Sequence, residues 1–373
     1  MKIEHIELRY VRIPLVVPFR TSFGTAYDKN TFLLRVVTED AEGWAECGAA
    51  SDPLYSSEFL AGAEIVLRDQ LVPRVQALGS ALGAELVKTA LEPVKGHQMA
   101  KHVLETAILD AQLKASNLSF GRYLGAVRDQ VPAGVSVGIM DSLPELIDAV
   151  GGYLAEGYQR IKLKIEPGWD LAAVRVIRET FGDDVLLQVD ANSAYTLADA
   201  RHLAKLDDFD LLLIEQPLAE DDLRGHAELA KVIRTPVCLD ESITSARDAA
   251  TAIAIGACSI INVKPARVGG YLEARRIHDV AAAHGVPVWC GGVLESGIGR
   301  GPNLALAALP NFVLPGDTSA SGRYFAQDLT KPFELEDGHL RVPTGPGIGA
   351  EVLLDVLEEM TVSTTSVSLR SGS

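Results

Sequence analysis

The sequence predicts an α/β protein in which a parallel β/α barrel is joined to a smaller α+β capping lobe. Between about residues 132 and 315, short β-branched or leucine-rich runs alternate with helical patterns. Eight runs with βα spacing in this length fit a parallel barrel better than an open sheet. The runs are Val135–Ile139, Arg160–Lys164, Leu186–Asp190, Leu211–Glu215, Val237–Asp240, Ile260–Lys264, Val286–Cys290 and Phe312–Leu314.

The first third of the chain does not share this alternation. Strand patterns come first, and from about Ser57 to Ser116 the pattern is helical, with Ala, Leu and Glu prominent. We therefore predict an α+β capping domain over residues 1–130 and a barrel domain over residues 131–317. The predicted strands of the cap are Ile3–Ile13, Phe32–Val37 and Gly43–Cys47.

The segment Pro18–Gly24 lies between the first two strands and combines apolar, basic and glycine residues. Such a stretch is typical of a mobile loop over a ligand. An ordinary hairpin connection is the alternative, and the pattern alone does not decide between them.

Helix ends are visible between the barrel strands. Thr196-x-x-Asp199 and Ser245-x-x-Asp248 resemble capping boxes and predict helix starts. Gly285 predicts a helix end before the seventh strand. Beyond the barrel, residues 361–373 are polar and rich in Ser and Thr, and we expect part of them to be disordered.

Composition and charge exclude several classes of partner. The 373 residues carry a net charge of −16, which repels nucleic acid and anionic membranes. No apolar run approaches the ~18 residues of a membrane span, and the first residues have no signal-peptide pattern. We expect a cytoplasmic homo-oligomer with reduced thiols. The scattered cysteines are Cys47, Cys238, Cys258 and Cys290.

Charged residues end successive strands of the predicted barrel. Each of runs two to six ends in a charged residue. Consecutive charged residues are 24 to 26 positions apart, which is the length of one βα unit. In a parallel barrel these points share the carboxyl-terminal rim, where barrel enzymes place their active sites. A charge there is costly to bury unless it is paired or metal-bound. The residues are Lys164 (with Lys162 beside it), Asp190, Glu215, Asp240 and Lys264.

The order of these charges predicts a metal site. Asp190, Glu215 and Asp240 follow three adjacent strands, and hard oxygen ligands of this kind suit Mg²⁺. Without a cation, clustered carboxylates repel and raise each other's pKa. Salt bridges on the barrel rim are the alternative, but five charges in register favour a functional site.

The flanking lysines predict proton transfer beside a substrate carboxylate. Lys164 and Lys264 would reach a metal-bound substrate from opposite sides, and Lys162 would add positive charge. We expect the metal and its cationic neighbours to lower the pKa of one lysine so that it can act as a base. Acid/base groups on both faces permit racemisation, whereas one lysine alone permits dehydration.

These residues resemble the enolase superfamily, and within it the muconate-lactonising subgroup, which pairs a Lys or His base with Mg²⁺. The seventh run ends Trp289-Cys290-Gly291-Gly292 without the histidine of mandelate-racemase-like members. The eighth ends Pro315-Gly-Asp317-Thr318, which departs from the Asp-x-Asp of dipeptide epimerases. The motifs that carry the resemblance are Lys162-Leu-Lys164, Val189-Asp190-Ala-Asn192, Ile214-Glu215-Gln-Pro217, Leu239-Asp240-Glu-Ser242 and Asn262-Val-Lys264.

Five segments narrow the resemblance: Pro18–Gly24, Gly134–Ile139, Lys162–Trp169, Lys264–Gly270 and Pro315–Ser319. They are similar to the o-succinylbenzoate synthase / N-acylamino acid racemase family, and the match covers essentially the whole chain. The resemblance implies a modified TIM barrel, (β/α)₇β, with residues 318–373 packing back on the cap. It also implies Mg²⁺ or Mn²⁺ on Asp190, Glu215 and Asp240, and an acid/base pair of Lys164 and Lys264. The implied reactions are dehydration of a succinyl-hydroxycyclohexadiene carboxylate in menaquinone synthesis and racemisation of N-acylamino acids, often N-succinyl ones.

Further residues are candidates for contact with a small-molecule carboxylate substrate. Phe19, Phe23 and Tyr55 could pack on an acyl arm, or only within the cap core. Ser136 and Asn192 could bind carboxyl or amide groups, or only make local hydrogen bonds. The glycines that follow the seventh run could let substrate approach the backbone closely; they are Gly291 and Gly292.

Two alternatives to this function stay open at this point. One is another cycloisomerase or epimerase of the muconate-lactonising subgroup. The other is a non-catalytic barrel that only binds ligands, although such a relic is expected to have lost at least one of the five costly rim charges.

Overall fold

The computed structural model describes residues 1–369 and begins with an antiparallel sheet. A very long hairpin forms most of it, because strand β1 runs to Thr21 and β2 resumes at Gly24. The segment Pro18–Gly24 is therefore the end of a hairpin; whether this end moves over a ligand stays a prediction. The strands of this sheet are β1 (Ile3–Thr21), β2 (Gly24–Thr38) and β3 (Glu42–Glu46).

Helices pack on one face of this sheet. Helix α4 is central, since 13 of its residues are buried and it contacts both β2 and β3. A π-helical turn over Leu67–Leu71 connects the first two helices. The helices are α1 (Leu60–Val66), α2 (Val72–Gln76), α3 (Ala84–Leu91), α4 (Gln98–Ala115) and α5 (Phe120–Leu124).

Seven parallel strands form the second sheet, each hydrogen-bonded to the next along the chain. The predicted α/β barrel fold is confirmed, although most strands are shorter than their apolar runs. A short strand, β4 (Gln130–Pro132), precedes them. The seven strands are β5 (Gly134–Val137), β6 (Arg160–Lys164), β7 (Leu186–Asp190), β8 (Ile214–Glu215), β9 (Val237–Leu239), β10 (Ile260–Val263) and β11 (Val288–Cys290).

The predicted eighth strand, Phe312–Leu314, is reduced to isolated bridges. Phe312 bridges to Val288 of β11, and Gly316 bridges to Ala133 beside β5. Backbone hydrogen bonds from Val313 to β11 and from Gly134 to Gly316 link the same segment to both edges. Residues 312–316 thus occupy the eighth position of the ring without forming a regular strand.

Helices cover the outside of the parallel sheet, and their ends follow the predicted signals. Thr196 and Asp199 form a capping box, Ser245 caps α10, and Gly285 follows α12 with a φ of 69°. The helices are α6 (Leu143–Glu156), α7 (Leu171–Phe181), α8 (Ala200–Leu203), α9 (Leu223–Leu229), α10 (Ala246–Ala254), α11 (Pro265–Val268), α12 (Tyr271–Ala283) and α13 (Gly297–Ala307), with 3₁₀ turns at 197–199 and 204–209.

The last part of the chain returns to earlier elements. Strand β12 (His339–Arg341) pairs with β4, and after α14 (Leu354–Met360) strand β13 (Thr361–Ser366) pairs with β1. Pairing with β1 orders residues 361–366; the expected partial disorder of the tail stays a prediction, since residues 370–373 lie outside the described part. The domain boundaries near 130 and 317 stay predictions.

One continuous apolar cluster extends through cap and barrel. Glu105 of α4 is buried in it, and its carboxylate accepts hydrogen bonds from the first two amides of α12, at 2.9 and 3.0 Å. This contact fastens the cap to a barrel helix. Throughout residues 1–369, no helix has both the length and the apolar character needed to cross a membrane.

Candidate active site

The charged strand ends lie side by side on the barrel rim. Lys164 pairs in register with Asp190, and Asp190 pairs with Glu215 on the next strand. Asp240 and Lys264 directly follow β9 and β10. The register arises because consecutive parallel strands start their βα units at equivalent points. All five side chains are buried.

Lys162 occupies the middle of this group. Its amine donates to Asp317 Oδ2 at 2.5 Å and to Glu215 Oε2 at 3.0 Å, and lies 3.3 Å from Asp190 Oδ2. The ring of Trp289 covers the amine from below, 4.8 Å from the ring centre. Three carboxylates and one aromatic face thus compensate a charge that is fully removed from water.

Lys164 and Lys264 stand four strand positions apart. In a ring of eight positions this separation places them on opposite sides. The amine of Lys164 donates to Asp190 Oδ2 at 2.6 Å and to Asn192 Oδ1 at 2.7 Å. The amine of Lys264 donates to Asp240 Oδ2 at 2.6 Å and to the hydroxyl of Tyr55 at 2.7 Å.

The three carboxylates predicted as metal ligands face these amines. As the side chains lie, no group of three or more His, Cys, Asp or Glu residues within 1–369 is placed to hold a metal ion. The reason is visible at Lys162, whose amine stands between Asp190 and Glu215. Convergence of the three acids on one ion therefore stays a proposal.

The donor set nevertheless has the chemistry that a divalent cation requires. Asp190, Glu215 and Asp240 are all fully buried, on adjacent strands. Asp240 Oδ1 accepts no hydrogen bond from any described residue, although Arg267 Nε lies 3.2 Å away. Buried carboxylate oxygens that lack a full set of donors are the ligands that Mg²⁺ and Mn²⁺ prefer.

The pKa values of these acids show how strongly they interact. Burial, together with the charges of Asp190 and Asp240, raises the pKa of Glu215 to about 8. Burial alone would raise the pKa of Asp190, but the adjacent amines of Lys164 and Lys162 hold it below its usual range. A bound divalent cation would relieve the repulsion that raises the pKa of Glu215.

Two lysines of the site have raised pKa values in this arrangement. Burial lowers the pKa of Lys264, but Asp240 and Tyr55 raise it more, so that it lies well above its ordinary value. Asp317, Glu215 and Asp190 likewise outweigh burial and raise the pKa of Lys162. The lowering expected for one of Lys164 and Lys264 depends on a bound metal ion and stays a prediction.

Two connected cavities open above the rim. The smaller, about 40 Å³, lies among Lys162, Lys164 and Lys264. The larger, about 420 Å³, extends from Lys164 and Lys264 to the cap. Both amines therefore face the same space, and a substrate could place one end between them and the rest toward the cap.

Most of the predicted substrate contacts line these cavities. Ser136 borders the small one, and its buried hydroxyl has no hydrogen-bond partner among the described residues. Phe19 borders both cavities, whereas Phe23 and Tyr55 border the large one and pack on each other, 5.3 Å between ring centres. Asn192 borders the large one too, held by Lys164 and Glu241.

The two glycines after β11 differ in their surroundings. Gly292 lines both cavities. Gly291 instead lies against two side chains of the site, since a Cβ there would lie 2.2 Å from Asn262 Oδ1 and 2.7 Å from Lys264 Cε. Gly291 therefore gives room to the Lys264 side chain rather than to a ligand.

Sequence reasoning missed two charged residues of this site. Asp317 accepts hydrogen bonds from Lys162 and from Arg160, at 2.5 and 2.9 Å. It follows the eighth run as the other acids follow theirs, so the same rule could have found it. Arg267 contacts Tyr55 and Asp240 from helix α11, a position that strand periodicity does not mark.

Comparison with known proteins agrees with this geometry. Residues 4–125 match the mandelate racemase / muconate lactonizing enzyme N-terminal domain, and residues 145–356 match the enolase C-terminal domain-like family. The chain is 62% identical to the N-succinylamino acid racemase of an Amycolatopsis species, over 97% of this chain and 98% of the relative.

Two further relatives extend the comparison. The o-succinylbenzoate synthase of Geobacillus kaustophilus is 46% identical over 94% of both chains. The crystal structure of an enolase superfamily member from Listeria innocua superposes with a TM-score of 0.94 at 39% identity, covering 98% of this chain and 99% of that one. With a capping domain over a parallel barrel and both domain families matched, this chain belongs to the enolase superfamily, in its mandelate racemase / muconate lactonizing enzyme group.

Proposed function

We propose that this protein moves the α-proton of a carboxylate substrate, acting as an N-succinylamino acid racemase and as an o-succinylbenzoate synthase. The observation that carries the proposal is the placement of two buried amines, Lys164 and Lys264, across one cavity from each other. Relatives named for both reactions, each similar over nearly the whole chain, support it.

Asp190, Glu215 and Asp240 would hold one divalent cation, Mg²⁺ or Mn²⁺. When bound, this ion supplies a Lewis acid and positive charge beside the substrate carboxylate. It would also draw the carboxylates away from the amines that they contact here, and so reverse the cause of the raised pKa of Lys264.

The remaining steps belong to the side chains. One lysine takes the proton from the α-carbon, and the electron pair of the broken C–H bond spreads into the substrate carboxylate. The opposite lysine gives a proton to the other face, which inverts the centre. In dehydration one lysine takes the α-proton and returns it to the hydroxyl on the neighbouring carbon; the C–O bond breaks with its electron pair going to the departing water, and the pair of the former C–H bond forms the new C=C bond. Lys162, fixed by Asp317, adds positive charge without moving.

The substrate arm would extend into the large cavity. Phe19, Phe23 and Tyr55 supply apolar and aromatic surface there, and Ser136 offers a free hydroxyl near the amines. We propose that these four, with Asn192 and Gly292, contact the substrate. The homo-oligomeric state and the cytoplasmic location also stay predictions.

Incubation of the protein with Mg²⁺ and N-succinylphenylalanine in D₂O tests the proposal. Proton NMR should show loss of the α-hydrogen signal, and polarimetry should show racemisation; a parallel assay should show dehydration of the succinyl-hydroxycyclohexadiene carboxylate. Lys205→Ala, at an exposed lysine of the barrel, should behave like wild type. Absence of both reactions would contradict the proposed function and favour a barrel that binds ligands without catalysis.

A further inference from the structure

The loop after β11, residues 292–296, lies at the junction of the two cavities. Gly292 and Leu294 of this loop border both of them. Leu294 has a φ of 59°, a left-handed conformation that a leucine adopts rarely. A residue persists in such a conformation only where its surroundings hold it there.

Two buried side chains of the cap form hydrogen bonds with this loop. Lys29 of β2 donates a hydrogen bond of 2.7 Å to the carbonyl of Val293, directly before Leu294. Glu46 of β3 accepts hydrogen bonds from the amide and hydroxyl of Ser296, at 2.9 and 2.6 Å. Lys29 and Glu46 are only 7% and 4% exposed, and their charges lie 3.6 Å apart.

Residues of the barrel domain bind the loop at atoms other than the Val293 carbonyl. Glu295 accepts a hydrogen bond from the amide of Val293, and Arg300 donates to the carbonyl of Glu295. Within residues 1–369, Lys29 is the one hydrogen-bond donor to the carbonyl of Val293. Loss of the Lys29 amine would remove the hydrogen bond to the Val293 carbonyl, while Ser296 would keep its hydrogen bonds to Glu46.

We infer that Lys29 is a positioning residue that fixes Leu294 at the junction of the cavities and thereby sets which substrates fit. This inference rests on the proposed function. A substrate with its carboxylate among the lysines must pass Leu294 to place its acyl arm or side chain in the large cavity. The position of Leu294 therefore acts on substrate size rather than on proton transfer.

Lys29→Met tests the inference, because methionine keeps the length and loses the charge. We expect the ratio of kcat/KM for N-succinylphenylalanine to kcat/KM for N-succinylalanine to change by about 10-fold, mainly through KM. Lys29→Arg should restore the ratio, and Lys2→Met, at an exposed lysine of the cap, should leave it unchanged. In a Leu294→Ala background, Lys29→Met should have no further effect on the ratio.

Amide hydrogen exchange gives a readout that needs no activity. Lys29→Met should speed exchange in a peptide that covers residues 291–297, while Lys29→Arg should not. An active wild type combined with unchanged selectivity and exchange in Lys29→Met overturns the inference. Inactivity of the wild type counts against the proposed function instead, and exchange still decides whether Lys29 holds the loop. Should Lys29→Met not fold, unchanged selectivity in Leu294→Ala overturns the inference.

Discussion

Replacement of Lys264 by alanine removes one of the two amines that face the cavity. Its nearest cationic neighbour, Arg267, contacts the same Tyr55 and Asp240 but stays protonated at every relevant pH. Lys164 lies on the opposite side, four strand positions away. Within residues 1–369, the other titratable groups beside Lys264 are the metal-ligand candidate Asp240 and Tyr55, whose pKa burial raises, so neither is matched to take the α-proton from that side.

The size of the effect follows from this geometry. A positioned acid or base contributes about 10²–10⁴ to a rate, and no neighbour can replace this one. We expect racemisation by Lys264→Ala to fall by about 10³-fold, or about 4 kcal/mol in the barrier. The enantiomer whose α-hydrogen faces Lys164 should still exchange in D₂O, within about 10-fold of wild type.

Proton NMR of each N-succinylphenylalanine enantiomer in D₂O, followed by chiral chromatography, separates exchange from racemisation. Lys264→Ala should exchange one enantiomer and Lys164→Ala the other, with neither variant racemising. Thermal melting of both variants should confirm folding. Exchange of both enantiomers by Lys264→Ala at the wild-type rate would refute the two-sided mechanism.

Three further outcomes are expected. Thorough removal of divalent metal with EDTA should abolish both reactions, and Mg²⁺ or Mn²⁺ should restore them; activity that survives contradicts the metal proposal. Gly291→Ala should lower kcat by about 100-fold and also lower the melting temperature, because its Cβ would displace the buried side chains of Lys264 and Asn262; a wild-type kcat would contradict this. Burial raises the pKa of Glu105 to about 7, so the folded state keeps its proton longer and stability should fall, by about 2–3 kcal/mol, as pH rises from 4.5 to 7. The free energy of unfolding, measured with urea at pH 5 and pH 8, should fall in wild type but not in Glu105→Gln. An equal pH dependence in the two proteins would contradict this prediction.

The barrel and its charged rim could be predicted because their information is local. Strands β6 and β7 have the bounds that their apolar runs predicted, and Lys164 and Asp190 end them. Parallel strands repeat one structural unit, so an acid or lysine at a constant interval must reach the same edge of the sheet. The same reasoning extends to Asp317, which lies three residues after the eighth run, although no regular strand forms there.

Only the tertiary structure decided which side chains meet. Nothing near Lys29 in the sequence indicates that its amine holds Val293, and nothing near Thr361 predicts pairing with β1. The contacts that raise the pKa of Lys162 likewise come from acids in distant parts of the chain. The physical reason is the separation along the sequence of the residues that interact. Periodicity and caps depend on residues a few positions apart, whereas the partners of a buried charge come from distant parts of the chain and are chosen by packing.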